Sequence, residues 1–299
     1  MQKIYIIAGP TASGKSAAAV RLAKKIGGEV ISADSMQVYR GMNIGTAKVT
    51  AEEMQGIPHH LIDIMEPTEE FNIHIFQKLC KKAIREISER GRIPIICGGT
   101  GFYIQSVLYD IDFTEEDTDM SYRRELEELY KEKGGEILFE MLKAVDPASC
   151  EAIHPNNIKR VIRALEYHKE TGGRISEHNE EQRRKKAAYD AGFYILYDER
   201  PLMYERIDRR VERMIEDGLV DEVRRLREYV PRNAVSMQGL GYKEIYAYLE
   251  GECSLEEAVY ILKRDTRHFA KRQITWFKRE KETCWIKPDE CPWDTESFR

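Results

Sequence analysis

The stretch "YIIAGPTASGKSAAAV" (Tyr5–Val20) begins as an apolar run, breaks into a loop bounded by glycines, and resumes with small residues suited to a helix. Its centre, Gly9-Pro10-Thr11-Ala12-Ser13-Gly14-Lys15-Ser16, fits G-x-x-x-x-G-K-[ST]. A strand before the loop and a helix over about Lys15–Ile26 after it supply the context that this motif requires. Successive backbone N–H groups of such a loop and the positive end of the helix converge on one anion, and Lys15 adds a full charge. Ser16 is then placed to bind Mg²⁺ through its hydroxyl. The residues point to a phosphate site and leave the reaction open.

Working outward, strands and helices alternate. "GEVISAD" (Gly28–Asp34) predicts a second strand and "HHLIDIM" (His59–Met65) a short third. Apolar residues at helical spacing over Asn72–Gly91 predict a helix. "RIPIICGG" (Arg92–Gly99) is a continuous apolar run between breakers, as in a strand buried on both faces. From Thr114 to Ala191 the pattern is helical alone and rich in Glu, Lys and Arg; "GFYILYDE" (Gly192–Glu199) then resumes the strand pattern, and "CWIKP" (Cys284–Pro288) is a candidate last strand. The expected fold is α/β: a doubly wound parallel sheet like that of P-loop NTPases, with a helical insertion. The core would comprise residues 1–113 and 192–299, and the insertion 114–191. In such a sheet the ligand lies beyond the carboxyl ends of the strands.

With 299 residues, 42% of them hydrophobic, the chain has ample core for one large or two modest domains. No apolar run approaches the roughly 20 residues of a membrane span, and the apolar start is too short for a signal peptide. A cytoplasmic protein without membrane contact is expected. Six cysteines without a CxxC pair suit reduced thiols, not a zinc site or a disulfide framework. The net charge of −5 argues only weakly against nucleic acid, because positive charge is clustered. Basic runs cover Asn156–Lys169, Arg183–Lys186, Glu205–Arg213 and Lys263–Glu280, while acid collects at Glu115–Asp119.

Two strand ends carry candidate chemistry. Asp34, where the second strand stops, can accept a proton from a nucleophile or cap the following turn. Thr100, in "GGTGFY", can donate to a leaving oxygen or cap the next helix. The central strand ends in Cys97-Gly-Gly-Thr100 where a P-loop ATPase carries an acidic residue, which weakens the case for ordinary ATP hydrolysis.

The segments "GPTASGKS", "ISADSMQVYRGMNIGTAK", "PHHLID", "GGTGFY", "NIKRVIRALE", "ERIDRRVERMIEDGLVDEV", "GLGYKE" and "RHFAKRQITWF" resemble, in order and spacing, those of tRNA dimethylallyltransferases. The likeness covers nearly the whole chain. It implies transfer of a dimethylallyl group from dimethylallyl diphosphate to the exocyclic amine of the adenosine 3′-adjacent to the anticodon, with the loop holding diphosphate beside Mg²⁺. By the same resemblance Asp34 would be the general base, Thr100 would lie near the scissile oxygen, and Arg210 would approach the diphosphate. Asp34, Ser35, Met36 and Gln37 would contact the turned-out adenosine. Arg123, Arg160, Arg163, Arg267, Lys271, Arg272, Gln273 and Trp276 would contact the anticodon stem-loop of tRNA. One departure is "FNIHIF" (Phe71–Phe76), where the family usually carries small and acidic residues. A monomer is expected. Two other readings stand beside this one: an ATP-dependent small-molecule phosphotransferase and a non-catalytic RNA-binding module.

Overall fold

A computed structural model of the chain describes residues 1–113 and 121–295; the acidic run Glu115–Asp119 lies outside them. In chain order the first elements are β1 (Lys3–Ala8), α1 (Lys15–Ile26), β2 (Gly28–Ser32), α2 (Ala51–Met54), β3 (His59–His60), α3 (Ile73–Glu89), β4 (Ile93–Gly98) and α4 (Gly101–Leu108). Five helices follow: α5 (Ser121–Lys133), α6 (Gly135–Val145), α7 (Pro147–Ala152), α8 (Ile158–Thr171) and α9 (Ile175–Arg183). The chain returns through β5 (Asp190–Leu196), α10 (Arg200–Glu216), α11 (Leu219–Leu226), α12 (Tyr242–Leu249), α13 (Leu255–Phe277) and β6 (Cys284–Ile286). The six strands form one parallel sheet in the order β3-β2-β4-β1-β5-β6.

The chain divides into two compact units, Met1–Leu108 with Ala187–Arg299, and Tyr109–Lys186. The predicted bounds of 114 and 191 therefore move. Asp190 and Ala191 already pair with Lys3 and Ile4 of β1, and Ala188 N–H donates to Leu108 O at 2.7 Å, so the residues after Lys186 belong with the sheet. Two predicted strands are shorter than expected. Beyond His60 the run breaks because Leu61 and Asp63 adopt φ of 62° and 53°, which no strand accommodates. β2 ends at Ser32, and Ala33 N–H turns to Cys97 O at 2.8 Å, drawing the tips of β2 and β4 together.

In the larger unit α1 lies on the sheet through its small residues. Ala18, Ala19, Leu22 and Ala23 are buried against Tyr5, Ile7, Val30 and Ile95. The alanines let the helix approach the strands closely, and burying Leu22 alone contributes about 2 kcal/mol. Gly14, at φ 80° just before α1, takes a left-handed conformation that turns the loop into the helix. The smaller unit has its own core of Leu126, Leu138, Leu142, Val161, Ile162 and Leu165. Within it the buried Asp146 carboxylate accepts from the backbone N–H and hydroxyl of both Ser149 and Ser176. Burial alone would raise its pKa, but those hydrogen bonds outweigh burial and hold it below the usual carboxylate range.

A buried acid also organises the segment after β2. Glu222 occupies the apolar stripe of α11 with Leu219, Val223 and Leu226, yet is only 2% exposed. Its carboxylate accepts from the N–H groups of Asn43, Ile44 and Gly45 at 2.9–3.1 Å and from Tyr242 Oη at 2.7 Å. Removing it leaves three part-buried backbone donors and the buried Tyr242 hydroxyl without their acceptor, the buried group alone costing about 1–3 kcal/mol. Glu222→Ala is expected to lower the unfolding free energy by about 3 kcal/mol, and Tyr242→Phe by about 1 kcal/mol. Urea denaturation checks both, with the slope unchanged.

Candidate active site

The loop Gly9–Ser16 joins β1 to α1 at the carboxyl edge of the sheet, flanked by the tips of β4 and β5. It is braced from several directions. Lys15 Nζ donates to Pro10 O at 2.8 Å, closing the loop on itself. Arg210 Nη1, from α10, donates to Thr11 Oγ1 at 3.3 Å. Thr11 N–H donates to Gln273 Oε1, from α13, at 2.9 Å. Ala12, within the loop, is held at φ 62°. Among the described residues neither the buried Ser13 hydroxyl nor the exposed Ser16 hydroxyl has a hydrogen-bond partner.

Two cations meet here in a weakly hydrated setting. Burial pushes the Lys15 ammonium down to about 8, and nearby Arg210 lowers it further, against upward contributions from Cys97 and Asp34. Burial also lowers Arg210. A group that loses water without gaining a counter-ion favours an anion that restores the balance. Cys97, a buried residue of β4, has its thiol pushed up to about 11 by burial and is an inert wall of the site.

Asp34 stands just beyond β2. Its Oδ1 accepts from Met36 N–H at 2.8 Å and Gln37 N–H at 3.3 Å, so the turn-capping role weighed from sequence is real. Oδ2 takes no hydrogen bond among the described residues, which leaves one carboxylate oxygen held in place and available. Thr100 sits across from it: its N–H donates to Ala33 O at 3.4 Å, and its O accepts from Tyr103 and Ile104 N–H at the start of α4. The Thr100 hydroxyl makes no hydrogen bond among the described residues, so it does not act as a cap. Gln37 is tied in place, accepting from Ser32 Oγ at 3.2 Å and donating to Thr46 O and Ala47 O at 3.4 and 3.3 Å. Ser35 and Met36 are half-buried beside it, and the Met36 methyl packs against Gly239.

Several residues assigned to RNA contact lie elsewhere. Gln273 is 6% exposed and fully engaged by backbone, so it does not reach a surface. Arg123 forms a two-pronged pair with Glu166 at 2.8 and 2.9 Å inside the smaller unit, which commits its guanidinium. Arg267 is paired with Asp208 at 2.5 Å. Lys271 is exposed, and Arg272 lies 5.8 Å over the Phe269 ring. Trp276 sits 5.9 Å from the Phe102 ring, with its Nε1 buried and without a partner among the described residues. In the smaller unit Arg160 is exposed and Arg163 half-buried. His74, in the first turn of α3, has its Nδ1 buried without a partner among the described residues.

In sequence the α10 arginines form a basic run in which the resemblance singles out Arg210 alone. At positions 206, 209, 210 and 213 they line one face and, with Ala12 and Gly14, enclose a pocket of about 230 Å³ beside the loop. Arg206 is held there by Asp198 at 2.7 Å. Helical spacing alone would have found this face.

A loop amide cradle, two poorly hydrated cations, a half-used carboxylate and a free hydroxyl suit displacement of a phosphate-type leaving group by a nucleophile that must lose a proton. Comparison with known proteins agrees with that arrangement. Residues 37–280 match the family model of IPP transferases. The tRNA dimethylallyltransferase of Lachnoclostridium phytofermentans is 61% identical over 96% of this chain and 92% of its own, and that of Carboxydothermus hydrogenoformans 51% over 95% and 92%. A crystal structure of a eukaryotic dimethylallyltransferase acting on tRNA aligns with a TM-score of 0.86 at 33% identity, covering 99% of this chain and 77% of that one. The full-length tRNA isopentenylpyrophosphate transferase of Bacillus halodurans aligns at 0.73 with 47% identity, over 96% and 90%. The chain belongs to the IPP transferase family.

Proposed function

We propose that this protein transfers a dimethylallyl group from dimethylallyl diphosphate to the exocyclic amine of the adenosine 3′-adjacent to the anticodon of tRNA, releasing diphosphate. The observation that carries this reading is the placement of Asp34 Oδ2 and the Thr100 hydroxyl, both without hydrogen bonds among the described residues, on strand tips next to a phosphate loop. The carbon–oxygen bond to diphosphate breaks as the amine nitrogen bonds to carbon, and the proton lost from nitrogen goes to Asp34. Charge growing on the leaving oxygens meets the loop amides, Lys15 and Arg210, and Thr100 donates toward the departing oxygen. An adenine amine is a weak nucleophile because its lone pair is delocalised into the ring, so a base acting as the bond forms is required. Because a stacked base hides that amine, the adenosine is turned out against Asp34–Gln37.

Among the described residues no cluster of three or more His, Cys, Asp or Glu could hold a metal. The unpaired, exposed Ser16 hydroxyl fits the other way of holding Mg²⁺, in which one protein oxygen joins substrate phosphate oxygens and water. When bound, the ion neutralises charge on the leaving diphosphate. Lys271, Arg272, Arg160 and Arg163 contact tRNA phosphates, and Trp276 borders the entry of the base. No helix among the described residues is long and apolar enough to cross a membrane, and all six cysteines are free thiols, which supports a cytoplasmic location.

Incubating the protein with Mg²⁺, radiolabelled dimethylallyl diphosphate and unmodified tRNA should place label on adenosine after digestion. Phosphate moved from ATP to a small acceptor, with no label on RNA, would establish the phosphotransferase reading instead. Asp34→Asn preserves the turn through the amide oxygen but cannot take a proton, so kcat is expected to fall roughly a hundredfold or more with tRNA affinity retained. Turnover within a few-fold of wild type would remove Asp34 as the base.

Lys15 also sets a pH dependence. Its ammonium is charged below about pH 8 in the free protein and neutral above. An anion bound there must therefore draw a proton from solvent at higher pH. Pyrophosphate affinity, taken relative to a Lys15→Ala variant to cancel the ligand's own ionisation, is expected to be flat below pH 8. Above it the affinity falls by up to about tenfold per pH unit, as calorimetry across pH would show.

A further inference from the structure

The apolar stripe of α13 runs through Ala258, Leu262, Thr266, Ala270 and Phe277, and Gln273 interrupts it. A buried amide there is unfavourable unless its oxygen and nitrogen are both bonded. Both are, and to backbone: Oε1 accepts from Thr11 N–H at 2.9 Å, and Nε2 donates to Gly99 O at 2.9 Å. The fit leaves no slack on the Gly99 side, where a Cβ would come within 2.2 Å of Nε2 and 3.3 Å of Gly9 O. Thr11 belongs to the phosphate loop, and Gly99 immediately precedes Thr100. One side chain thus spans the gap between the two walls of the site.

We propose that Gln273 is a positioning residue for group transfer: it fixes the separation between the phosphate loop and the Gly99–Thr100 turn and keeps the Thr11 amide engaged with protein. The diphosphate is then held by the amides that follow Thr11, at a set distance from the Thr100 hydroxyl. This rests on the reading of the loop as a diphosphate site. It replaces a role for Gln273 in gripping RNA, for which the side chain is too deeply buried. A brace serving stability alone needs only apolar volume in this stripe; an amide bonded to these two backbone groups instead carries directional information into the site.

The test compares wild type with Gln273→Met, which fills the same space without hydrogen bonds, and Gln273→Glu, which keeps the acceptor for Thr11 but turns a second oxygen on Gly99 O. Pyrophosphate affinity is measured on the RNA-free protein, tRNA affinity separately, and kcat in the labelling assay, all where circular dichroism shows a folded chain. Both variants are expected to bind pyrophosphate at least about tenfold more weakly and to lose roughly 10- to 100-fold in kcat, with tRNA affinity within about twofold of wild type. Unchanged pyrophosphate affinity overturns the inference, whether or not tRNA affinity falls. Wild-type protein that fails to bind pyrophosphate overturns the diphosphate reading itself, a separate result. Hydrogen exchange at the Thr11 amide of wild type supplies a measurement that needs no variant. Strong protection is expected, and exchange at the rate of an open loop would also overturn the proposal.

Discussion

The loop Gly9–Ser16 does not hold its shape by itself. It carries a non-glycine residue, Ala12, in the left-handed region at a cost of about 1 kcal/mol. The shape persists because other parts of the chain hold it from behind. Thr11 is bonded at its amide by Gln273 and at its hydroxyl by Arg210, and Lys15 reaches back to Pro10. The long connection that brings α10 and α13 back to a loop formed near the start of the chain is therefore part of the site itself. The parallel sheet makes that return possible by placing β5 directly beside β1.

The electrostatics follow from the same enclosure. Lys15 and Arg210 are both displaced downward chiefly because water is excluded; Arg210 adds to the effect on Lys15, and Arg213 adds to that on Arg210. Folding stores an unfavourable arrangement of like charge that an anion relieves. On the proposed reading such a site discriminates by charge more than by shape, since the gain from an incoming diphosphate would include the repulsion it removes. The arginine face of α10 extends this field outward along the pocket next to Gly14, where Arg206 is oriented by Asp198.

Much of this was legible in the sequence, because the strongest signals are local. The glycine-bounded loop with a strand before it and a helix after it, the apolar run of β4, and the purely helical pattern between the sheet segments all stand in single windows of the chain. Asp34 and Thr100 could be singled out because strand ends are where such sheets bind ligands. What was not legible is long-range. Nothing near Gln273 announces a bond to Thr11, 262 positions away, and among Lys271, Arg272 and Trp276 it reads as one more RNA-facing residue. The ion pair of Arg123 is hidden for the same reason: its partner Glu166 lies 43 positions on. Glu222 is a different failure. Its place in the apolar stripe of α11 was visible, and an acid in such a stripe signals a buried anion with backbone donors to satisfy.

Glu222 and Asp34 show how the state of a carboxylate separates scaffolding from chemistry. Glu222 has both oxygens in use, accepting from three successive backbone amides and a tyrosine hydroxyl, so every interaction that stabilises its charge is already made. It has no capacity left to act on a substrate. Asp34 keeps Oδ1 in a turn with Met36 and Gln37, which fixes its orientation without rotameric freedom to lose on binding, and leaves Oδ2 unused. Orientation with spare capacity is what a base requires, because it must be in place before the proton moves and must gain a bond when it does. The two acids are physically linked as well. Glu222 secures Asn43–Gly45, the adjoining Thr46 and Ala47 carbonyls hold Gln37, and Gln37 N–H helps fix Asp34. The saturated carboxylate thus supports the segment in which the unsaturated one stands ready.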